Sequence, residues 1–164
     1  MIINIYSYND AKLIFNEKPK NWISVRDLGY SHLYEDMDEK CSNVLELYFD
    51  DVTNQDIQSG ALHPFYRKAY MARGLICFSE EMARDIVKFA EKVYNKGEEL
   101  NIHCWAGKSR SQAIGHCLNI YYNLYLKKND KDYLRNLNKS NGKFHGNYDV
   151  IRIMTNELYN KRGN

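Results

Sequence analysis

The sequence lacks the features that mark membrane and nucleic-acid-binding proteins. It has no apolar run that approaches the roughly 20 residues needed to span a bilayer. The apolar start, residues 1–6, is too short for a secretory signal and has no basic lead. The 23 basic and 21 acidic residues nearly cancel. We therefore expect neither a membrane nor a nucleic acid as a partner.

The cysteines and histidines of the chain also lack the sequence spacings that indicate disulfides or metal sites. Its four cysteines are unpaired in spacing: Cys41, Cys77, Cys104 and Cys117. With no export signal, this pattern indicates reduced thiols and a cytoplasmic location. His63 and His145 have no partners at ligand spacing, so we expect no metal and no other cofactor.

The length and amino-acid composition of the chain indicate one globular domain over residues 1–164. Apolar residues make up 44% of the chain and charged residues 27%, with no low-complexity tract. A chain of this length buries a substantial single core.

Apolar periodicity predicts strands that alternate with helices. We predict strands at 2–6, 22–26, 44–49 and 100–103, and helices at 11–15, 79–95, 110–127 and 130–137, with a last helix capped by Asn147. Residues 54–60 are polar and turn-rich. Pro64 permits a short helix to residue 70, and 75–78 is either a strand or buried chain. The order predicts an α/β fold, with a single mixed or parallel sheet covered by helices on both sides.

The segment 103–111, His-Cys-Trp-Ala-Gly-Lys-Ser-Arg-Ser, joins the last predicted strand to the helix that begins at Arg110. A strand–loop–helix arrangement aims backbone N–H groups and a helix N-terminus at one point, which suits an anion such as phosphate or sulfate. Thiols beside a helix N-terminus and a cation ionise readily. Cys104 is therefore the candidate nucleophile.

The other residues of the loop suit the binding and cleavage of a phosphate ester. Arg110 presents a planar fork that matches two phosphate oxygens. Ser111 can donate its hydroxyl to the Cys104 sulfur, Gly107 permits a backbone conformation that strains other residues, and His103 fixes the backbone around Cys104. The remaining phosphate oxygens are expected to bind backbone N–H groups, which are those of Trp105, Ala106, Gly107, Lys108, Ser109 and Arg110.

The His-Cys-x5-Arg-Ser motif resembles the signature of the cysteine-dependent protein tyrosine phosphatases. Its setting, in a short chain with Phe-Ser-Glu-Glu-Met-Ala at 78–83 opening the preceding helix, is similar to the dual-specificity group and its small phage and bacterial relatives. The motif covers nine residues, and a weaker match runs over 44–121. The resemblance implies a phosphatase-like fold and hydrolysis through a cysteinyl-phosphate intermediate, without a cofactor.

The resemblance also implies a general acid, which in this family is an aspartate after the preceding strand. Asp51 matches that place best, Asp50 is second and Asp56 is third. The pair Asp50-Asp51 follows the strand at 44–49, where open α/β sheets place their active sites. The interval from Asp51 to Cys104 is longer than the family usually has, and residues 61–77 read as an insertion.

Several readings of the loop compete. A nucleotide-binding P-loop requires a glycine where Ile102 stands, which excludes that function. The main prediction is a protein tyrosine or dual-specificity phosphatase that acts on a phosphorylated protein or another phosphomonoester. The Ala-Gly-Lys run at 106–108 is similar to that of lipid phosphatases, so a phosphoinositide or RNA 5′-phosphate substrate is an alternative. The rival from another class is a non-catalytic phosphate-binding pseudophosphatase.

Overall fold

A parallel β-sheet forms the centre of the molecule. The structure, a computed structural model, describes residues 1–18, 20–28, 41–126 and 146–161. Its strands are β1 (Ile3–Ser7), β2 (Trp22–Arg26), β3 (Val44–Tyr48) and β4 (Leu100–Cys104). They lie in the order β1–β4–β2–β3, with every pairing parallel. The carboxyl ends of all four strands therefore meet at one edge of the sheet.

Helices connect and cover these strands. They are α1 (Tyr8–Ile14), α2 (Asn54–Ser59), α3 (Pro64–Arg73), α4 (Glu80–Asn95), α5 (Arg110–Asn119) and α6 (Tyr148–Asn160). A π-helical segment, Ile120–Tyr125, continues α5. None of the helices within the described ranges is both long enough and apolar enough to cross a membrane.

Both faces of the sheet are buried, as the pattern of β2 shows. Ile23 and Val25 pack in the large core that α4, α5 and α6 complete on one face. Trp22 points to the opposite face, where it packs with Ala11 and Phe15 around α1. All five residues of β2 are buried, which is the pattern of a parallel strand covered on both sides. The predicted α/β fold, with helices on both sides of one sheet, is confirmed.

Most predicted element bounds agree with the structure to within two residues, but α1 begins three residues before its predicted start and α3 ends three residues after its predicted end. Residues 54–59 form α2 rather than a turn, because Thr53 and Asp56 make a reciprocal capping box at its start. Residues 75–78 are buried or half-buried chain without regular structure. The predicted 110–127 helix changes to π geometry at Ile120. The predicted helix at 130–137 lies outside the described residues.

The N-cap of α4 provides a test of local stability. Ser79 Oγ accepts a hydrogen bond from the Met82 backbone N–H at 3.2 Å. We expect Ser79→Ala to lower the free energy of unfolding by about 1 kcal/mol, measured by urea denaturation. Ser79→Asp, which keeps an acceptor at the cap, should retain most of that stability. An equal loss in both variants would mean that the cap is not the cause.

Candidate active site

A cavity of about 500 Å³ opens at the carboxyl edge of the sheet. Its walls come from the ends of β2 and β4, the chain after β3, the segment 105–110 and the start of α3. The lining residues are Asp27, Asp51, His63, Phe65, Tyr66, Cys104, Trp105, Ala106, Lys108, Ser109 and Arg110. The cavity thus gathers most of the site residues expected from the sequence, together with four that the sequence analysis did not assign to the site.

The loop after β4 packs tightly against the junction of β1 and α1. Tyr8 donates its backbone N–H to the Trp105 carbonyl at 3.1 Å. Gly107 has a φ of +67°, and a Cβ added there would lie 2.6 Å from the Ser7 nitrogen and 2.7–2.8 Å from the Tyr6 carbonyl group. Glycine is therefore required at 107 both for its left-handed backbone and for the close approach of another chain segment.

Cys104 lies at the floor of the cavity and contacts the hydroxyl expected to assist it. Its side chain is 2% exposed, and its Sγ lies 3.2 Å from Ser111 Oγ. His103 does not line the cavity. It is fully buried on the other face of β4, where its Nε2 lies 2.8 Å from Ser24 Oγ and its ring meets the edge of Trp22.

Arg110 is held by an ion pair that leaves one edge of its guanidinium available. Its Nη1 and Nη2 donate to the two carboxylate oxygens of Asp27 at 2.9 and 3.0 Å, and Nη1 also donates to the Phe49 carbonyl at 2.6 Å. Of the five N–H donors of an arginine, Nε–H and the second Nη2–H remain. These two lie side by side on one edge. The buried Nε has no hydrogen-bond partner within the described part of the chain.

The charge of Arg110 is secured by the same pair. Burial by itself lowers the pKa of Arg110, but the negative charge of Asp27 and its hydrogen bonds more than offset this and raise the pKa. The guanidinium, 2% exposed, is therefore charged at any working pH. Its available edge is a fixed pair of parallel donors that matches two oxygens of a phosphate group.

Asp51 is the one of the three candidate acids that lines the cavity. Its Oδ1 accepts hydrogen bonds from Ser109 Oγ at 2.7 Å and from Asn147 Nδ2 at 3.1 Å. Asn147 also caps α6 by accepting from the Val150 N–H. The Asp51 carboxyl group is thus hydrogen-bonded both to the loop 105–110 and to the start of α6.

Asp50 and Asp56 are engaged elsewhere. Asp50 is fully buried, receives two hydrogen bonds from Arg73 at 2.7 and 3.0 Å, and accepts a third from the Ile76 N–H. Asp56 closes the capping box of α2 with Thr53. The structure does not bring either carboxylate to the cavity lining.

The region expected to be an insertion supplies part of the cavity lining. His63 caps α3 by accepting from the Phe65 N–H at 3.3 Å, and Phe65 and Tyr66 follow in its first turn. In the loop, Trp105 stacks on Tyr8, with ring centroids 5.6 Å apart and planes 5° from parallel. The lining therefore includes three aromatic side chains, those of Phe65, Tyr66 and Trp105.

Sequence reasoning missed Asp27, Asn147 and the α3 residues as parts of the site. Asp27 follows β2 directly, so the rule that singled out the aspartates after β3 applies equally to it. Asn147 was expected only as a helix cap. For α3 the signal was weak, because Pro64 indicates a helix start but nothing local indicates which way that helix packs.

Comparison with known proteins gives a clear result for the fold. No protein-family model and no curated protein matches the chain. The crystal structure of a glycine-to-alanine mutant form of Tk-PTP matches with a TM-score of 0.56, at 14% identity, over 99% of this chain and 93% of that one. PTPMT1 in complex with PI(5)P matches with a TM-score of 0.55, at 11% identity, over 99% and 93%. The chain has the protein tyrosine phosphatase fold.

Two glycines with the same backbone angle allow the loop packing to be tested. Gly97 also has a φ of +67°, but a Cβ there would meet nothing within 4 Å. We expect Gly97→Ala to cost about 1–2 kcal/mol of unfolding free energy from backbone strain alone. Gly107→Ala should cost clearly more and also weaken the binding of orthovanadate, because the loop must move away from β1. Equal losses in the two variants, with unchanged vanadate binding, would contradict the close-packing explanation.

Proposed function

We propose that this protein is a phosphomonoester hydrolase of the protein tyrosine phosphatase kind, and that it acts through a cysteinyl-phosphate intermediate. The observation that carries the proposal is the geometry of Arg110. A buried, permanently charged guanidinium presents its unpartnered Nε edge at the N-terminus of α5, in the same cavity as Cys104. Such an arrangement binds a phosphoryl group and holds it beside a nucleophile.

The first step transfers the phosphoryl group to the protein. The Cys104 thiolate attacks phosphorus in line, the Sγ–P bond forms and the ester P–O bond breaks. Asp51 gives its proton to the leaving oxygen, so that an alcohol or phenol departs. Because Asp51 Oδ1 already accepts two hydrogen bonds, Oδ2 is the oxygen that carries the transferred proton.

The second step releases phosphate and restores the site. Asp51, now a carboxylate, takes a proton from a water molecule as that water attacks phosphorus. The P–Sγ bond breaks, and the thiolate that leaves is stabilised by a hydrogen bond from Ser111, whose Oγ lies 3.2 Å from Cys104 Sγ. Throughout, Arg110 and the backbone N–H groups of 105–110 bind the phosphate oxygens, while Asp27 holds Arg110 from behind.

The walls of the cavity favour an aryl phosphate, such as a phosphotyrosine side chain in a protein. Phe65, Tyr66 and Trp105 in the lining offer flat apolar surfaces to an aromatic leaving group. A phosphoinositide headgroup or a 5′-triphosphorylated RNA carries several charged groups and requires several cations. Besides Arg110, Lys108 is the one lysine or arginine among the described residues of the cavity lining.

Relative rates on three classes of substrate test which of them this cavity accepts. We expect a phosphotyrosine peptide to be hydrolysed with a higher kcat/KM than inositol phosphates or triphosphorylated RNA. A preference for inositol polyphosphates would assign Lys108 a headgroup-binding role and favour the lipid alternative. Tight binding of phosphopeptide with no turnover would instead indicate a pseudophosphatase.

The nucleophile is tested by a cysteine substitution with a matched control. We expect Cys104→Ser to abolish hydrolysis of para-nitrophenyl phosphate in the presence of a chelator, because a serine hydroxyl is not ionised near neutral pH. Cys77→Ser is the control, since Cys77 does not line the cavity. Full activity in Cys104→Ser would exclude the mechanism.

The acid is tested by the dependence of rate on the leaving group. Asp51→Asn should lower kcat/KM for an alkyl phosphate by about 10²–10⁴, because an alkoxide leaves poorly without a proton. The loss should be much smaller for para-nitrophenyl phosphate, whose phenolate leaves unaided. A normal rate on alkyl phosphates in Asp51→Asn, together with a loss in Asp56→Asn, would move the role to Asp56.

A further inference from the structure

Helix α3 is capped locally at its start and is tied to the chain after β3 at its end. At the start, Pro64 occupies the first turn and the His63 ring accepts from the Phe65 N–H. At the end, Arg73 makes a two-pronged ion pair with the buried Asp50 and also donates to the Gly74 carbonyl. A buried carboxylate with three hydrogen bonds is a strong anchor. We infer that the orientation of α3 over the cavity is set by the Asp50–Arg73 pair.

The anchor of α3 and the proposed acid share one stretch of backbone. Asp50 and Asp51 are consecutive, but Asp50 pairs with Arg73 while Asp51 lines the cavity. The Asp50 N–H also donates to the Ile76 carbonyl at 2.8 Å, just beyond α3. The distance between α3 and the acid is therefore set by hydrogen bonds of 2.7–3.0 Å to the buried Asp50.

This anchoring places Tyr66 over the site. Tyr66 and Arg73 are seven residues apart, about two helical turns, and so lie on the same face of α3. Tyr66 lines the cavity with Cys104, Asp51 and Arg110. Its hydroxyl makes a hydrogen bond with the Asp51 backbone, and the charges of Arg110, Asp27 and Asp51 affect its pKa. The phenol end of Tyr66 therefore lies beside Asp51, which also lines the cavity.

The hydroxyl of Tyr66 is a proton donor at every working pH. Burial is the main cause that raises the pKa of Tyr66 to about 12; the carboxylates of Asp27 and Asp51 add to it, and the charge of Arg110 and the hydrogen bond with the Asp51 backbone offset it in part. A neutral O–H can donate to an anion without adding charge to a site in which Arg110 and Asp27 already balance each other. No other residue of α3 within the cavity lining offers a hydroxyl.

We propose that Tyr66 is a substrate-contacting residue, whose hydroxyl donates to a non-bridging oxygen of the phosphoryl group held by the loop. The Asp50–Arg73 ion pair acts through it, as the positioning element that holds α3 where this contact forms. The proposal rests on the proposed function and adds to it a donor that comes from α3 and not from the loop. It also gives a role to the segment 61–77, which lengthens the interval between Asp51 and Cys104.

The contact is tested by removing one oxygen atom. Tyr66→Phe keeps the aromatic wall, so we expect an unchanged free energy of unfolding but a kcat/KM for para-nitrophenyl phosphate lowered by about 10- to 100-fold, as for the loss of a hydrogen bond to a charged group. The inhibition constant of inorganic phosphate should rise. Tyr70→Phe is the matched control, because Tyr70 lies on the same helix, is 52% exposed and does not line the cavity.

The outcomes separate this proposal from the proposed function. Active wild-type protein together with a Tyr66→Phe variant of unchanged kcat/KM and phosphate inhibition would overturn the Tyr66 contact and leave the phosphatase function standing. If the wild-type protein hydrolyses no phosphomonoester, the function fails. Calorimetric titration with inorganic phosphate then still tests the contact, since equal affinities of wild type and Tyr66→Phe would overturn it.

The positioning role of the Asp50–Arg73 ion pair is tested by a double-mutant cycle. Arg73→Lys keeps a positive charge beside Asp50 but cannot form the two-pronged pair. If Arg73 acts through Tyr66, the kcat/KM loss of the double variant should be smaller than the product of the two single losses. Independent, multiplicative losses would contradict the positioning role. Denaturation of each variant verifies that the chain is folded.

Discussion

The ion pair between Arg110 and Asp27 is the interaction on which the rest of the site depends. A guanidinium taken out of water costs several kcal/mol unless a carboxylate compensates it. Asp27 does so at the end of β2, and the Phe49 carbonyl adds a further acceptor beyond β3. One side chain at the start of α5 thereby links the ends of two strands to the helix that follows a third. The position of its available edge is set by the sheet itself.

A second set of contacts ties the proposed acid to the same frame. Asp51 is bonded to Ser109 in the loop and to Asn147 at the start of α6, while Asp149 accepts from the Asn54 N–H. The chain after β3 is therefore clamped between the loop and the last helix. In the proposed mechanism this is preorganisation, because the carboxylate assigned to proton transfer is already oriented before a substrate arrives.

Short-range sequence patterns predicted most of the fold and the loop that contains Cys104 and Arg110. The strands have alternating or continuously apolar sequences, and α4 begins at a serine cap. Cys104 and Arg110 lie six residues apart in one loop. Short-range patterns were therefore enough to predict these elements. The position of Asp27 after β2 could have marked it as a site residue, but its pairing with Arg110, 83 residues away, has no local signal in the sequence. The helix α2 has no buried residue and thus no apolar period. Its Thr-x-x-Asp cap was the remaining signal.

The two tryptophans of the chain occupy contrasting places, and this gives the protein an optical property of its own. Trp22 is completely buried between the sheet and α1, so its emission reports on whether the core is intact. Trp105 is half exposed at the cavity mouth and stacked on Tyr8, so its emission responds to whatever enters beside it. Occupancy of the cavity and integrity of the fold are thus readable from separate fluorophores, without any added label.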